Sequence, residues 1–137
     1  MRYTFHVKTK KRETGDLGES IAAEFLERKG FKILEKNYLR PWGEIDLIAL
    51  KDYTVRFVEV KTVSREKMPD FSREIDYRPE EMVQKNKLRK LARTAALYME
   101  QKRDSREYQI DVVGVILVQS TQSARCRLIE QALEDNI

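Results

Sequence analysis

An α/β fold, one mixed β-sheet flanked by helices in the order α-β-β-β-α-β-β, is what the sequence predicts, and three observations predict it. Two stretches, near residues 17–28 and 80–102, repeat apolar residues at helical spacing. Residues 110–118 form an almost unbroken apolar run, the pattern of a strand covered on both faces. Three segments of strand character lie between the helices, so helices and strands interleave instead of segregating. With 137 residues, 41% hydrophobic and 36% charged, the chain suits one core and is neither disordered nor collagen-like.

Residues 1–13 are polar and basic, a short strand or a basic N-terminal arm ahead of a single domain over 14–137. Thr14 or Asp16 is expected to cap the first helix, whose stripe is Leu17, Ile21, Ala22, Phe25 and Leu26. Gly30 stops it after Arg28 and Lys29. Residues 31–39 alternate, with Phe31, Ile33 and Tyr38 inward, as a strand does. Residues 43–50 and 55–62 are two more strands, joined by a two-residue turn at Asp52 and Tyr53. The stretch 64–79 is charged, holds two of the three prolines and is long for a loop. The longest helix is expected over 80–102, with Leu88, Leu91, Ala92, Ala95, Tyr98 and Met99 as its stripe. A last strand over 124–129 pairs through a turn at 120–123, and residues 130–135 read as a short helical end.

Charge placement says more than the net +4. Residues 1–13 carry a net +4, residues 80–103 another +4, and the remainder sums to −4. Two basic stretches around an acidic middle suit a polyanion partner and leave carboxylates for other work, although solvated helix faces carry such charges too. A mean hydropathy of −0.64, without any apolar run of about 18 residues, excludes a membrane-spanning helix. The first residues lack the apolar stretch of a signal peptide, and the lone Cys126 excludes an internal disulfide or a cysteine-based zinc cluster. A cytoplasmic protein without a membrane partner is the expectation.

The most informative stretch is the hairpin of residues 43–61. A turn at Asp52 and Tyr53 sets the register, placing Leu50 opposite Val55, Ile48 opposite Phe57, Leu47 opposite Val58 and Ile45 opposite Val60. The same register sets Asp46 opposite Glu59 and Glu44 opposite Lys61. Two facing carboxylates among apolar pairs repel each other unless a divalent cation sits between them. Mg²⁺ takes one or two carboxylates with waters and substrate phosphate. Lys61 lies two residues beyond Glu59, on the same strand face. An ammonium there can orient an attacking water and neutralise charge growing on phosphorus. Metal-assisted phosphodiester hydrolysis fits these residues; solvated charges at a sheet edge are the plainer alternative.

Glu19 lies at the edge of the first helix's apolar stripe, either aimed at the metal site or simply complementing the helix dipole. Lys87 shares a face with Leu91 and Tyr98 and either reaches phosphate or flanks the core in solvent. His6 has no partner at ligand spacing. Trp42 follows Pro41 at the hairpin mouth, where it can stack on a base or pack at the rim. Asp111 opens the central apolar strand as a cap or a residue below the site. No P-loop, dinucleotide-type glycine fingerprint or serine nucleophile elbow is present.

The segments Thr14-Gly15-Asp16-Leu17-Gly18-Glu19-Ser20-Ile21-Ala22, Asn37-Tyr38-Leu39-Arg40, Gly43-Glu44-Ile45-Asp46-Leu47-Ile48-Ala49 and Phe57-Val58-Glu59-Val60-Lys61 together resemble one family. They are similar to the bacterial YraN-like proteins, uncharacterised protein family 0102, grouped with the PD-(D/E)xK nucleases and similar to archaeal Holliday junction resolvases. The resemblance runs from about residue 14 to the C-terminus, through Lys87 and Asp111. It implies a restriction-endonuclease-like mixed sheet flanked by helices and an Mg²⁺- or Mn²⁺-dependent endonuclease acting on DNA, branched or single-stranded. Asp46, Glu59, the Val60 backbone and Glu19 would hold the metal, and Lys61 would be the catalytic lysine. Lys85, Lys87, Arg89, Arg93, Arg40 and Arg65 would contact nucleic acid. A homodimer is a further expectation. Arg65 stands later than the basic residue usual after Glu-x-Lys, and the 64–79 loop looks extended. The alternative within the same resemblance is a nucleic-acid-binding protein of nuclease fold, weak in catalysis, that acts through partners in DNA processing.

Overall fold

The computed structural model describes residues 2–6, 11–70 and 78–133, the side chains at 11 and 12 excepted. A six-stranded sheet is covered by one helix on each face, and the predicted order α-β-β-β-α-β-β is kept, with a short strand added ahead of it and a 3-10 helix before the second helix. The elements are β1 (Tyr3–Thr4), α1 (Lys11–Arg28), β2 (Lys32–Arg40), β3 (Gly43–Lys51), β4 (Thr54–Arg65), a 3-10 helix (Pro79–Met82), α2 (Lys85–Gln101), β5 (Tyr108–Val118) and β6 (Ser123–Ile129). The strand order is β1-β6-β5-β4-β3-β2, with β4 and β5 parallel and every other neighbour antiparallel. The parallel pair needs a crossover, and α2 supplies it.

Each helix buries its stripe on its own face. Ile21, Ala22 and Leu26 of α1 pack with Leu47, Val58, Val113 and Val115. Leu88, Leu91, Ala95 and Tyr98 of α2 pack with Ile48, Phe57 and Val112 on the other face. Val58, Phe57, Val113 and Val112 thus face alternate layers, as expected of central strands covered twice. Gly30 ends α1 in the left-handed region (φ 92°), with Phe31 N–H donating to Leu26 O at 3.0 Å and Gly30 N–H to Glu27 O at 3.0 Å, a Schellman close.

Several boundaries differ from the sequence reading. Helix α1 begins at Lys11, so Thr14 and Asp16 lie inside it and not at its N-terminus. Nothing lies within 4 Å of the space a Cβ would take at Gly15, so this glycine sits in the helix without strain. Tyr3 and Phe5 are buried and β1 pairs with β6, while residues 7–10 of the basic stretch lie outside the described residues. The helix expected over 80–102 is two pieces, because Val83 and Gln84 are extended (ψ 121° and 148°). The break turns Glu80 inward against Gly114 while leaving the Leu88 stripe on the sheet. Strand β4 runs three residues beyond the expected end, to Arg65, because β5 continues beside it. Residues 71–77 of the long loop are outside the description. Residues 130–133 form a bend, not a helix, since Ala132 N–H donates to Ile110 O (2.8 Å) and Leu133 is buried; residues 134 and 135 are not described.

Candidate functional site

The β3–β4 hairpin keeps the expected register through Leu50–Val55, Ile48–Phe57 and Leu47–Val58, with Asp52 and Tyr53 in left-handed conformations (φ 50° and 64°) as a tight turn requires. Beyond Leu47 the ladder stops. Asp46 and Glu59 are not ladder partners, nor are Ile45 and Val60 or Glu44 and Lys61, which corrects the register there. Ile45 packs on the α2 face and Leu47 on the α1 face, although residues two apart should share one. Alternation therefore slips by one at Asp46. On the neighbouring strand Asn37 takes a positive φ of 52° between Lys36–Leu47 and Tyr38–Ile45, so both strands bend together. Irregularities of this kind re-aim side chains. Here the Asp46 carboxylate turns toward β4 and accepts the Val60 N–H at 2.8 Å, a donor that continued pairing with β3 would have used.

Glu59 faces α2 and is almost buried; its Oε2 holds the Lys87 ammonium at 2.7 Å. Burial and, next, the Glu59 charge push the Asp46 carboxyl up to about 7, against the opposing pull of the Val60 N–H and Lys87. Glu19 is also raised, first by burial, then by Asp16, Glu59 and Glu44. The Glu59 hydrogen bond holds the Lys87 ammonium above its ordinary value. These groups form one electrostatic unit, but Glu19 lines a depression of about 240 Å³ on the α1 side with Lys36, Asn37 and Leu47, whereas Glu59 faces α2. Asp46 stands between.

Lys61 is exposed and sits beside Gly114 on β5, against which Glu80 packs. It does not line the groove that Glu59 enters. That groove, about 560 Å³, runs between the β2–β3 tip and α2, lined by Trp42, Glu44, Glu59, Lys87, Lys90, Arg93 and Leu97 among others. Of the expected nucleic-acid contacts, Lys87 and Arg93 line it. Arg89 turns aside to Asn86 (3.3 Å), and Lys85, at the start of α2, is exposed outside it. Arg40 stacks over Tyr38 at 4.2 Å, and Arg65 folds back to Ser64 O at 2.9 Å. Lys90 and Leu97 were missed, yet the spacing Lys87, Lys90, Thr94, Leu97 marks one helix flank and could have revealed them. Gly43 lets the tip approach α2, since a Cβ there would meet the Thr94 hydroxyl.

Asp111 does not serve the site. Fully buried, it accepts from Arg56 (3.3 Å), Gln109 (2.8 Å) and the Gln131 N–H (3.0 Å), tying the segment after β6 to the sheet. His6 is exposed after β1. Among the described residues no three His, Cys, Asp or Glu side chains are spaced to hold a metal ion as a ready-made cage. No helix among them is long and apolar enough to cross a membrane.

Comparison with known proteins identifies the family. The family model described as "Uncharacterised protein family UPF0102" matches residues 18–115, a span from Glu19's helix through both carboxylate strands and α2 into β5. A UPF0102 protein of Campylobacter fetus is 40% identical over 101 residues, covering 74% of this chain and 81% of its own length. One from Syntrophus aciditrophicus is 37% identical over 127 residues, 92% of each chain. One from Vibrio parahaemolyticus is 36% identical over 107 residues, 77% of this chain and 82% of its own. With most of the chain matched, the protein belongs to the uncharacterised protein family UPF0102.

Proposed function

We propose that the protein is an Mg²⁺- or Mn²⁺-dependent endonuclease that hydrolyses phosphodiester bonds of DNA. The observation that carries this reading is the slip at Asp46, which sets its half-buried carboxylate on the Val60 N–H, near enough to the buried Glu59 for the two charges to act on each other, beside a groove lined by Lys87, Lys90 and Arg93. Unrelieved, that juxtaposition is unfavourable, and a divalent cation relieves it. Mg²⁺ is usually held by one or two carboxylates with waters and phosphate. Asp46 and Glu59 with the Val60 carbonyl match that small donor set, and Glu19 adds negative charge from the α1 side. A bound metal would supply charge neutralisation at the phosphate and a more acidic water.

The chain's own residues do the rest. The Val60 N–H fixes the Asp46 carboxylate, so its position does not depend on the ligand. Lys87 holds Glu59 in place and carries a positive charge at the groove's acidic end. Lys61 presents an exposed ammonium on Glu59's face of β4, able to neutralise charge on phosphate oxygens. Lys90 and Arg93 attract the strand electrostatically. Two observations favour the second reading, a binding protein of the same fold without cleavage: Lys61 stays outside the groove, and Lys87 already occupies Glu59.

Incubation with Mg²⁺ or Mn²⁺ and a panel of linear, flapped, four-way and RNA substrates separates the two. Cleavage is expected with the wild type, absent with Asp46→Ala, and absent with Lys61→Ala although calorimetry still registers Mn²⁺ binding to Lys61→Ala. Cleavage that persists in Lys61→Ala, or no Mn²⁺ binding by the wild type with or without DNA, removes the mechanism.

A further inference from the structure

The groove beside the carboxylates has two unlike ends. Glu44 and Glu59 make one end acidic. The other is walled by Trp42, 47% exposed on the β2–β3 tip, and Leu97, 39% exposed on α2, with Lys90 and Arg93 alongside. Pro41 and Trp42 form the turn between Arg40 and Gly43, so the indole is held on a short, stiff tip; Gly43 seats that tip against Thr94. Indole and leucine surface left in water is unfavourable, and cations alone would serve backbone phosphates. An aromatic face combined with cations is the composition of a site for single-stranded nucleic acid, where a base stacks and its phosphates are neutralised. A base inside a duplex has both faces covered by its stacked neighbours.

From this geometry we infer that the Trp42 end of the groove is a subsite for an unpaired nucleotide, its base stacked on Trp42 and its backbone on Lys90 and Arg93. The identity of the strand as nucleic acid rests on the function proposed above; the subsite adds that the region flanking the reacting bond is single-stranded. Lys87 to Leu97 spans ~15 Å of helix, the length of a few nucleotides of an extended single strand. The acidic end, where phosphate is tolerated only with a cation, thus lies a few nucleotides from the stacked base.

Trp42 is the single tryptophan of the chain, so fluorescence excited selectively at tryptophan, beyond the absorption of the six tyrosines, reports on this subsite. The full chain is titrated with a twelve-residue oligothymidylate and with a blunt duplex of equal length, in chelator and again in Ca²⁺. Binding is followed independently through the anisotropy of a labelled strand. The expected result is saturable quenching of Trp42 by the single strand and little by the duplex. Trp42→Ala should weaken single-strand binding about 5- to 160-fold, the range of one base–aromatic stack, and Trp42→Phe should restore most of it. Melting curves of both variants confirm that they are folded. Unchanged fluorescence at saturation, unchanged affinity in Trp42→Ala, or no single-strand binding in either buffer overturns the subsite. Quenching without cleavage in Mn²⁺ supports the subsite and refutes the nuclease; cleavage indifferent to Trp42→Ala refutes the subsite and keeps the nuclease.

Discussion

Asp46 is the residue on which the proposed chemistry turns, and its environment makes a prediction that needs no substrate. Burial and the Glu59 charge push it up to about 7, well above the unfolded value near 4. The native state therefore keeps a proton that the unfolded chain releases first. The stabilising contribution is full below about pH 4 and is lost as the pH rises through 7. Asp46→Asn retains an oxygen for the Val60 N–H and removes the titration. In chelator at pH 8 it is expected to melt roughly 5 °C above the wild type, at about 4 °C per kcal/mol for a chain of this size. The gap should narrow at pH 5, and thermal melts at both values decide it; an equal gap at both pH values contradicts the assignment. The site is thus less stable than it could be, as expected where carboxylates are gathered for function.

At the scale of elements, the break between the 3-10 helix and α2 is set by a close approach. A Cβ on Gly114 would lie 2.9 Å from Glu80 Cβ and 2.7 Å from its backbone nitrogen. Neither atom belongs to the end of a flexible side chain, so the 3-10 helix itself would have to move. Gly114→Ala is expected to cost about 1–3 kcal/mol, typical of forcing extra atoms into a packed interior, measured by urea unfolding. Stability equal to the wild type would mean that the 3-10 helix does not seat on β5 as described. Because β4 carries Lys61 beside Gly114, the same variant should disturb Lys61 more than Asp46, which is held from the hairpin side.

Two features belong to the whole molecule. The first is the network joining the buried Arg56 of β4 and Asp111 of β5 to the half-exposed Glu130 beyond β6. Removing Asp111 leaves the Arg56 guanidinium buried with the half-exposed Glu130 as its remaining carboxylate. Asp111→Ala is expected to cost about 3–5 kcal/mol, the range for breaking a buried pair, read from chemical denaturation; a loss under 1 kcal/mol would show that the network contributes little. The second is the polarity of the groove. Two to four phosphates neutralised on α2 predict a slope of about −1.4 to −3 in log affinity against log salt for a single strand, at ~0.7 per phosphate. A salt-independent affinity would place the binding surface elsewhere.

Local pattern carried most of this fold. Apolar spacing placed both helices, the apolar run at 110–118 placed the doubly covered strand, and the turn at Asp52 and Tyr53 set the hairpin register, because each depends on neighbours close in sequence. Helix ends were less legible: the start at Lys11 and the break at Val83 depend on what the helix packs against. Asp46, Glu59 and Lys61 were legible as chemistry because carboxylates and a lysine among apolar strand residues are conspicuous. Their arrangement was not. A period-two strand pattern cannot register a slip of one residue, and the slip at Asp46 depends on Asn37 in the adjacent strand and the Val60 N–H in the next. The sequence by itself determined the class of fold, the order of its main elements and the residue types on which the proposed metal-assisted hydrolysis rests. Only the tertiary structure decided that Asp46 leaves its ladder position, that Glu19 and Glu59 face opposite sides of the sheet, and that Trp42 shares a groove with Lys90 and Arg93. Those outcomes are contacts between elements far apart in the chain, fixed by packing and by the satisfaction of buried polar groups.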